Sequence, residues 1–240
     1  MNVLVVDVGG SNVKMLATGQ ETPRKFASGR GLTAERMVAG VLDATADWSY
    51  DAVSIGFPGP VMRGQAVCEP HNLGMGWLGF DFAAAFGCPV KLINDAAMQA
   101  LGSYEGGKML FLGLGTGLGS AFVVDGKVEP MELAHLPYRK ATYEDYVGRR
   151  GLKRMGVKKW RRHVLAVVSL LTAALRPEYV VLGGGNARKL KDLPPGCRLG
   201  ANSNAFEGGF RLWNEARGRS SAAADDADRE RVAASSDVGR

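Results

Sequence analysis

The stretch Val3-Leu4-Val5-Val6-Asp7-Val8-Gly9-Gly10-Ser11-Asn12-Val13-Lys14-Met15-Leu16-Ala17 decides the fold. Val3 to Val6 is a continuous β-branched and leucine run, the character of a strand buried on both faces. A carboxylate and two glycines end it, and Val13 to Ala17 then reads as a second strand. The spacing predicts a hairpin around a glycine-rich turn. Glycine lets a backbone come close to phosphate oxygens and frees N–H groups to point at them. Asp7 at the edge of such a loop can hold a Mg²⁺ or its waters. A plain tight turn is the alternative, and one loop alone does not decide between the two.

Further along, the same device recurs. Met109 to Leu112 reads as a strand and Gly113-Leu114-Gly115-Thr116-Gly117-Leu118-Gly119 as a turn. Ser120 to Val124 reads as a second strand, followed by the hairpin signal Asp125-Gly126. Two copies of strand, glycine turn and strand predict two related lobes with a cleft between them. A third glycine segment, Gly183-Gly184-Gly185, follows the buried strand Tyr179 to Leu182, where an adenine can lie against the backbone. Between these motifs, Thr33 to Asp47 has a helical pattern with Thr33 as N-cap. Ala52 to Phe57 is a strand stopped by Pro58-Gly59-Pro60. Val90 to Ile93 is a strand that delivers Asn94-Asp95, and Ala96 to Tyr104 is a helix. Val164 to Leu175 reads as an apolar helix and Asn204 to Trp213 as a last one. The expected organisation is a first lobe of residues 1–95 plus 204–217 and a second of 96–203. The Ser-, Ala-, Asp- and Arg-rich segment 218–240 is expected to be disordered.

Composition narrows the classes. The 240 residues are 46% hydrophobic and 22% charged, which excludes disordered, collagen-like and coiled-coil chains. Lys and Arg outnumber Asp and Glu by 30 to 24, an excess suited to an anionic ligand. Ten of those cations fall between Arg139 and Arg162: Arg139, Lys140, Arg149, Arg150, Lys153, Arg154, Lys158, Lys159, Arg161 and Arg162. Arg188, Lys189 and Lys191 add a second cluster. A track for a linear polyanion and a solvated helical face are the two readings. Only Tyr143, Tyr146 and Trp160 interleave this stretch as stacking platforms, so nucleic acid is not the expected partner. Cys68, Cys88 and Cys197 form no CxxC pair, so neither a disulfide framework nor a structural zinc is expected, and reduced thiols point to the cytoplasm. No apolar run is long enough to span a membrane, and the N-terminus lacks the features of a signal peptide.

Two polar pairs can carry chemistry. Asp95 lies where a strand meets a helix, at the edge where open α/β sheets bind ligands. It is either a general base or the cap of the helix. Glu132 and His135 lie three residues apart and share a face on a helical turn, a spacing that can grip vicinal hydroxyls; a metal is a poorer reading without further His or Cys nearby, and a structural histidine is the alternative.

Asp7-Val8-Gly9-Gly10-Ser11-Asn12-Val13-Lys14, Gly56-Phe57-Pro58-Gly59, Asn94-Asp95-Ala96, Leu114 to Ala121, Glu132-Leu133-Ala134-His135 and Leu182 to Gly185 occur in the order seen in ROK-family sugar kinases. The chain resembles that family over residues 1–215. Within it the polyphosphate glucokinase branch is most similar. That branch also lacks the cysteine-rich zinc motif after the histidine and has a Glu-Asp pair matched here by Glu144-Asp145. The resemblance implies a two-lobed α/β fold of the ribonuclease-H-like, actin/hexokinase type. It also implies transfer of a phosphoryl group from ATP or polyphosphate to the 6-hydroxyl of a hexose, foremost glucose. Asp95 is then the general base, and Asn72, Asn94, Glu132, His135 and Glu144 bind sugar hydroxyls. Gly9, Gly10, Ser11, Asn12, Lys14, Thr116 and Gly117 cradle phosphates, Gly183, Gly184 and Gly185 take a nucleotide, and Asp7 lies near Mg²⁺. A homodimer is the family's habit. Ala134 stands where the family has glycine. It supports the alternative, a sugar- or nucleotide-binding protein of the same fold with little or no turnover.

Overall fold

The computed structural model describes residues 1–201 and 203–214. Ten strands form two five-stranded sheets. The first contains β1 (Val3–Val8), β2 (Asn12–Ala17), β3 (Arg24–Ala27), β4 (Ala52–Phe57) and β5 (Val90–Asn94), in the order β3-β2-β1-β4-β5. The second contains β6 (Lys108–Leu114), β7 (Leu118–Val124), β8 (Lys127–Met131), β9 (Tyr179–Gly183) and β10 (Cys197–Leu199), in the order β8-β7-β6-β9-β10. The two orders are one topology used twice. Each sheet opens with an antiparallel meander, and its first strand then pairs in parallel with the fourth. The internal repeat read from the two glycine turns is therefore a repeat of whole sheets.

Helices α1 (Ala34–Ala44), α2 (Phe82–Phe86), α3 (Asp95–Ser103), α4 (Tyr143–Val147), α5 (Arg149–Leu175) and α6 (residues 204–214) cover these sheets. Alternation along β1 sends Leu4, Val6 and Val8 to one face, where they pack with Met37, Val41, Phe57 and Trp77. Val3 and Val5 point to the other, against Met98 of α3 and Ala205 and Phe206 of α6. Asp7 continues this second set. The same α3 lays Ala96, Ala97 and Ala100 on Met109, Phe111, Ala121, Val123 and Val181 of the second sheet. Helix α3 is thus shared between the lobes, and its first residue is Asp95. Gly119 permits this approach, because a Cβ there would stand 2.7 Å from the Ala96 side chain.

Several boundaries differ from the sequence reading. Thr33 caps α1 as expected, accepting from Arg36 N–H at 3.2 Å, but the helix ends at Ala44. The basic stretch and the apolar helix after it form one helical run, broken at Gly156, whose φ of 72° leaves the helical region. The short β3, β8 and β10 and the single-turn α2 carried too little periodicity to be read. Residues 218–240, expected to be disordered, lie outside the described residues. No helix of the described residues is long and apolar enough to cross a membrane.

Candidate active site

Strand register gathers the motifs. Asp7 pairs with Lys14 on one side and Gly56 on the other, and Gly56 and Phe57 pair with Ile93 and Asn94. The Gly9-Gly10 turn, the Pro58-Gly59-Pro60 turn and Asn94-Asp95 therefore share one edge of the first sheet. In the second sheet Gly113 pairs with both Gly119 and Gly183, so the Thr116 loop and the triple glycine lie side by side.

Asn94 is the cap of α3. Its Oδ1 accepts the Ala97 N–H at 3.0 Å, while its Nδ2 donates to the Gly59 carbonyl at 3.0 Å. Both ends of the amide expected to face a sugar are thus held by protein. Asp95 is spared the capping role that position alone allowed it. Its carboxylate accepts the adjacent Ala96 N–H at 2.7 Å, and no other side chain hydrogen-bonds to it among the described residues. Burial pushes the Asp95 carboxyl up to about 7, the charge of Asp7 adds to the rise, and Glu132 adds a smaller share; the Ala96 N–H opposes it. That coupling places Asp7 from the first sheet and Glu132 from beyond the second near the same carboxyl.

Asp7 is itself raised by burial, partly offset by Lys14, whose Nζ stands 3.6 Å away. Lys14, expected at a phosphate, is the ion partner of the expected metal ligand. At the first turn Gly9 N–H donates to Asn12 carbonyl at 3.0 Å, and Gly10 and Ser11 are exposed. A Cβ on Gly10 would lie 3.6 Å from the Asn72 Cβ, so the segment carrying Asn72 sits directly against this turn. Asn72 is exposed, whereas Trp77 of the same segment is buried on Phe57 and Phe82 as core.

On the second lobe, Thr116 is exposed and its carbonyl accepts the Arg149 N–H at the start of α5, at 3.1 Å. Asn186, which sequence reading missed, joins the two glycine segments. Its backbone N–H donates to Leu114 and its Nδ2 to the Gly115 carbonyl, both at 2.9 Å. Gly184, at φ 80°, packs on the Leu114 backbone, and Gly185 faces open space. Glu132 precedes a short 3-10 turn, Leu133–His135, that His135 ends; both are exposed, with Ala134 buried between them. Glu144 reaches the Thr116 loop. Its carboxylate accepts the Leu118 N–H at 3.4 Å and occupies the space a Cβ on Gly117 would need. Asp145 closes a capping box with Thr142.

The two basic clusters meet. Arg161 Nε donates to the Lys189 carbonyl, which ties α5 to the turn after the triple glycine. Of the α5 cations only Arg150 has a carboxylate within 4 Å among the described residues, Asp145 at 3.6 Å. Lys153, Lys158, Lys159 and Arg162 are exposed and unpaired among the described residues. The aromatic residues interleaved with them offer no free platform. Trp160 is fully buried with its Nε1 on the Val147 carbonyl, Tyr143 is buried, and Tyr146 packs on His163 beneath Arg154.

Several known proteins are similar to this chain in sequence or fold. The chain is 26% identical over 205 residues to the polyphosphate glucokinase of Mycobacterium leprae, an alignment covering 78% of this chain and 60% of that protein's length. It is 26% identical over 211 residues to that of Mycobacterium tuberculosis H37Rv, covering 77% of each. The inorganic polyphosphate/ATP-glucomannokinase of Arthrobacter sp. strain KM shares the fold, with a TM-score of 0.75 at 24% identity over 87% of this chain and 96% of that one. So does a ROK family glucokinase from Streptomyces griseus solved with glucose and AMPPNP, with a TM-score of 0.70 at 17% identity over 88% and 99%. The model of the ROK family matches residues 3–130, from β1 through the second glycine loop and into β8, and the chain belongs to that family.

Proposed function

We propose that this protein is a sugar kinase that transfers a phosphoryl group to the 6-hydroxyl of a hexose, glucose first among them, with Asp95 as general base. The observation that carries this reading is the Asp95 carboxyl, pushed up to about 7 where two glycine loops converge, uncommitted to capping its helix. A base that titrates near neutrality holds a hydroxyl proton well enough to take it as the new bond forms. Phosphoryl transfer otherwise needs alignment and charge neutralisation. The exposed backbone of Gly10, Ser11 and Thr116 supplies donors to phosphate, and Asn72, Glu132, His135 and Glu144 supply the sugar contacts. The two ends of Asn94 fix Asp95 and leave Asn94 a supporting part in sugar binding.

The residues fit a Mg²⁺ carried by the donor. Magnesium keeps several waters and takes one or two carboxylates plus phosphate oxygens, so a single buried Asp7 beside an anion-binding turn suffices. No group of three or more acidic, histidine or cysteine side chains placed to hold a metal ion exists among the described residues, as a dedicated protein cage would need. Bound there, the ion neutralises charge on the transferred phosphoryl group.

For the donor, the joined basic surface favours polyphosphate, with ATP as the second candidate through Gly183, Gly184 and Gly185. The surface starts where Arg149 meets the Thr116 loop and continues past Arg161 to Lys189. A hexose panel assayed with each donor, at low and moderate salt, tests the whole reading. Sugar phosphate formed from polyphosphate, with a KM that rises steeply with salt, is the expected result. Sugar binding by calorimetry, with no product from either donor, would establish instead the non-enzymatic reading that Ala134 supports.

A further inference from the structure

The segment that carries Asn72 is a ten-residue loop, Glu69 to Leu78, with two glycines and an exposed Met75 at its tip. Such a segment left to itself samples many conformations, and each is a cost to be met when a ligand orders it. Here one side chain closes it. The Glu69 carboxylate accepts three successive backbone N–H groups from the loop's far end: Gly76 at 3.0 Å and Leu78 at 3.5 Å on Oε1, and Trp77 at 3.1 Å on Oε2. Gly76, at φ 90°, makes the turn that presents them. Two further anchors hold the loop to the lobe. Gly74 N–H donates to the Leu32 carbonyl at 2.9 Å, and Trp77 is buried. Asn72 lies between the closure and the Gly10 turn, in contact distance of the latter.

We infer that Glu69 is a positioning residue for the acceptor: its carboxylate fixes the loop so that Asn72 is held ready against the phosphate-binding turn. The inference rests on the reading that Asn72 binds the sugar. The Glu69 carboxylate is committed to the loop's own backbone, so its removal acts on ordering of the acceptor loop rather than on the donor loops. A carboxylate is needed because three converging N–H donors require an acceptor without hydrogens of its own. The isosteric amide would turn an NH₂ group toward one of them.

The test is steady-state kinetics on Glu69→Gln and Glu69→Asp beside Asn72→Ala, with sugar and donor varied separately and folding followed by thermal melting. The expected result for Glu69→Gln is a sugar KM raised about tenfold, with donor KM and kcat within twofold of the parent. Glu69→Asp, which keeps the charge but is one methylene shorter, should fall between the two. A sugar KM unchanged in Glu69→Gln while Asn72→Ala raises it overturns the positioning role and leaves the sugar site standing. An unchanged sugar KM in both variants removes Asn72 from the sugar site, and the inference with it. Equal rises in sugar and donor KM, with a lowered melting temperature, show a purely structural residue and overturn it as well.

Discussion

Asn94 and Asp95, adjacent in sequence, divide two tasks that a single residue often performs at a helix start. Asn94 accepts the Ala97 N–H at 3.0 Å and so satisfies the first turn of α3. Asp95 is left as a raised, weakly bonded carboxyl between two lobes. The Asn94 cap leaves the Asp95 carboxyl free of the capping role.

Asn94→Ala removes the cap and leaves the Gly59 carbonyl without its donor. A lost cap costs about 1 kcal/mol, and leaving the half-buried Gly59 carbonyl unpaired adds less than the ~1–3 kcal/mol of a fully buried acceptor. Denaturant unfolding should show a loss of about 1–3 kcal/mol, with turnover reduced because the Asp95 backbone is no longer fixed. Unchanged stability would mean that the cap carries no weight in this helix.

Asp95→Asn should stabilise the protein at neutral and alkaline pH. The folded-state pKa lies above the ordinary carboxylate value, so the native state holds the proton more tightly than the unfolded chain does. Stability therefore declines as pH rises from about 4 to about 7, and beyond that the ionised Asp95 opposes folding in full. The asparagine variant has no such penalty. Its melting temperature should match that of the parent near pH 4 and exceed it by a few degrees, roughly, at pH 8. Equal melting temperatures across that range would show that Asp95 is not raised.

Asp7→Asn removes the second largest cause of that rise. The Asp95 titration, followed by carboxyl carbon NMR, should then move down from about 7 while remaining above the ordinary carboxylate range, because burial persists. A titration that does not move would separate the two carboxyls.

Gly119→Ala places a Cβ 2.7 Å from the Ala96 side chain, where β7 and the first turn of α3 have no slack. Overpacking of this kind costs about 1–3 kcal/mol. Because the strain falls on the turn that begins with Asp95, turnover should fall by more than the melting temperature alone accounts for.

Neutralising Lys158, Lys159, Arg161 and Arg162 together should raise the KM for polyphosphate and flatten its dependence on salt, with the ATP KM changed little. Equal effects on both donors would show that the surface acts through folding or general charge.

The strands that place the site were legible because each is an apolar run ended by glycine or by Asn94-Asp95. The 3.6-residue pattern of α1 and its Thr33 cap were legible for the same local reason. The repeat of whole sheets was visible only as two glycine turns, since β3, β8 and β10 are half exposed and lack period. What sequence could not supply was pairing across distance. Lys14 reads as a phosphate ligand, and only register shows that it also stands opposite Asp7. That Trp77 is core shows only in its packing on Phe57 and Phe82. Asn186 and Glu69 carry no motif at all, and only their backbone partners 71 and 7–9 residues away in the chain reveal what they hold.

The most direct test is phosphorus NMR of glucose incubated with polyphosphate, and separately with ATP, using the parent and Asp95→Asn. The expected result is a 6-phosphorylated sugar from the parent, and a rate lower by ~10²–10⁴-fold from a variant that still folds and still binds glucose. Near-parental product formation by Asp95→Asn, or no phosphorylated hexose from the parent with either donor, would contradict it.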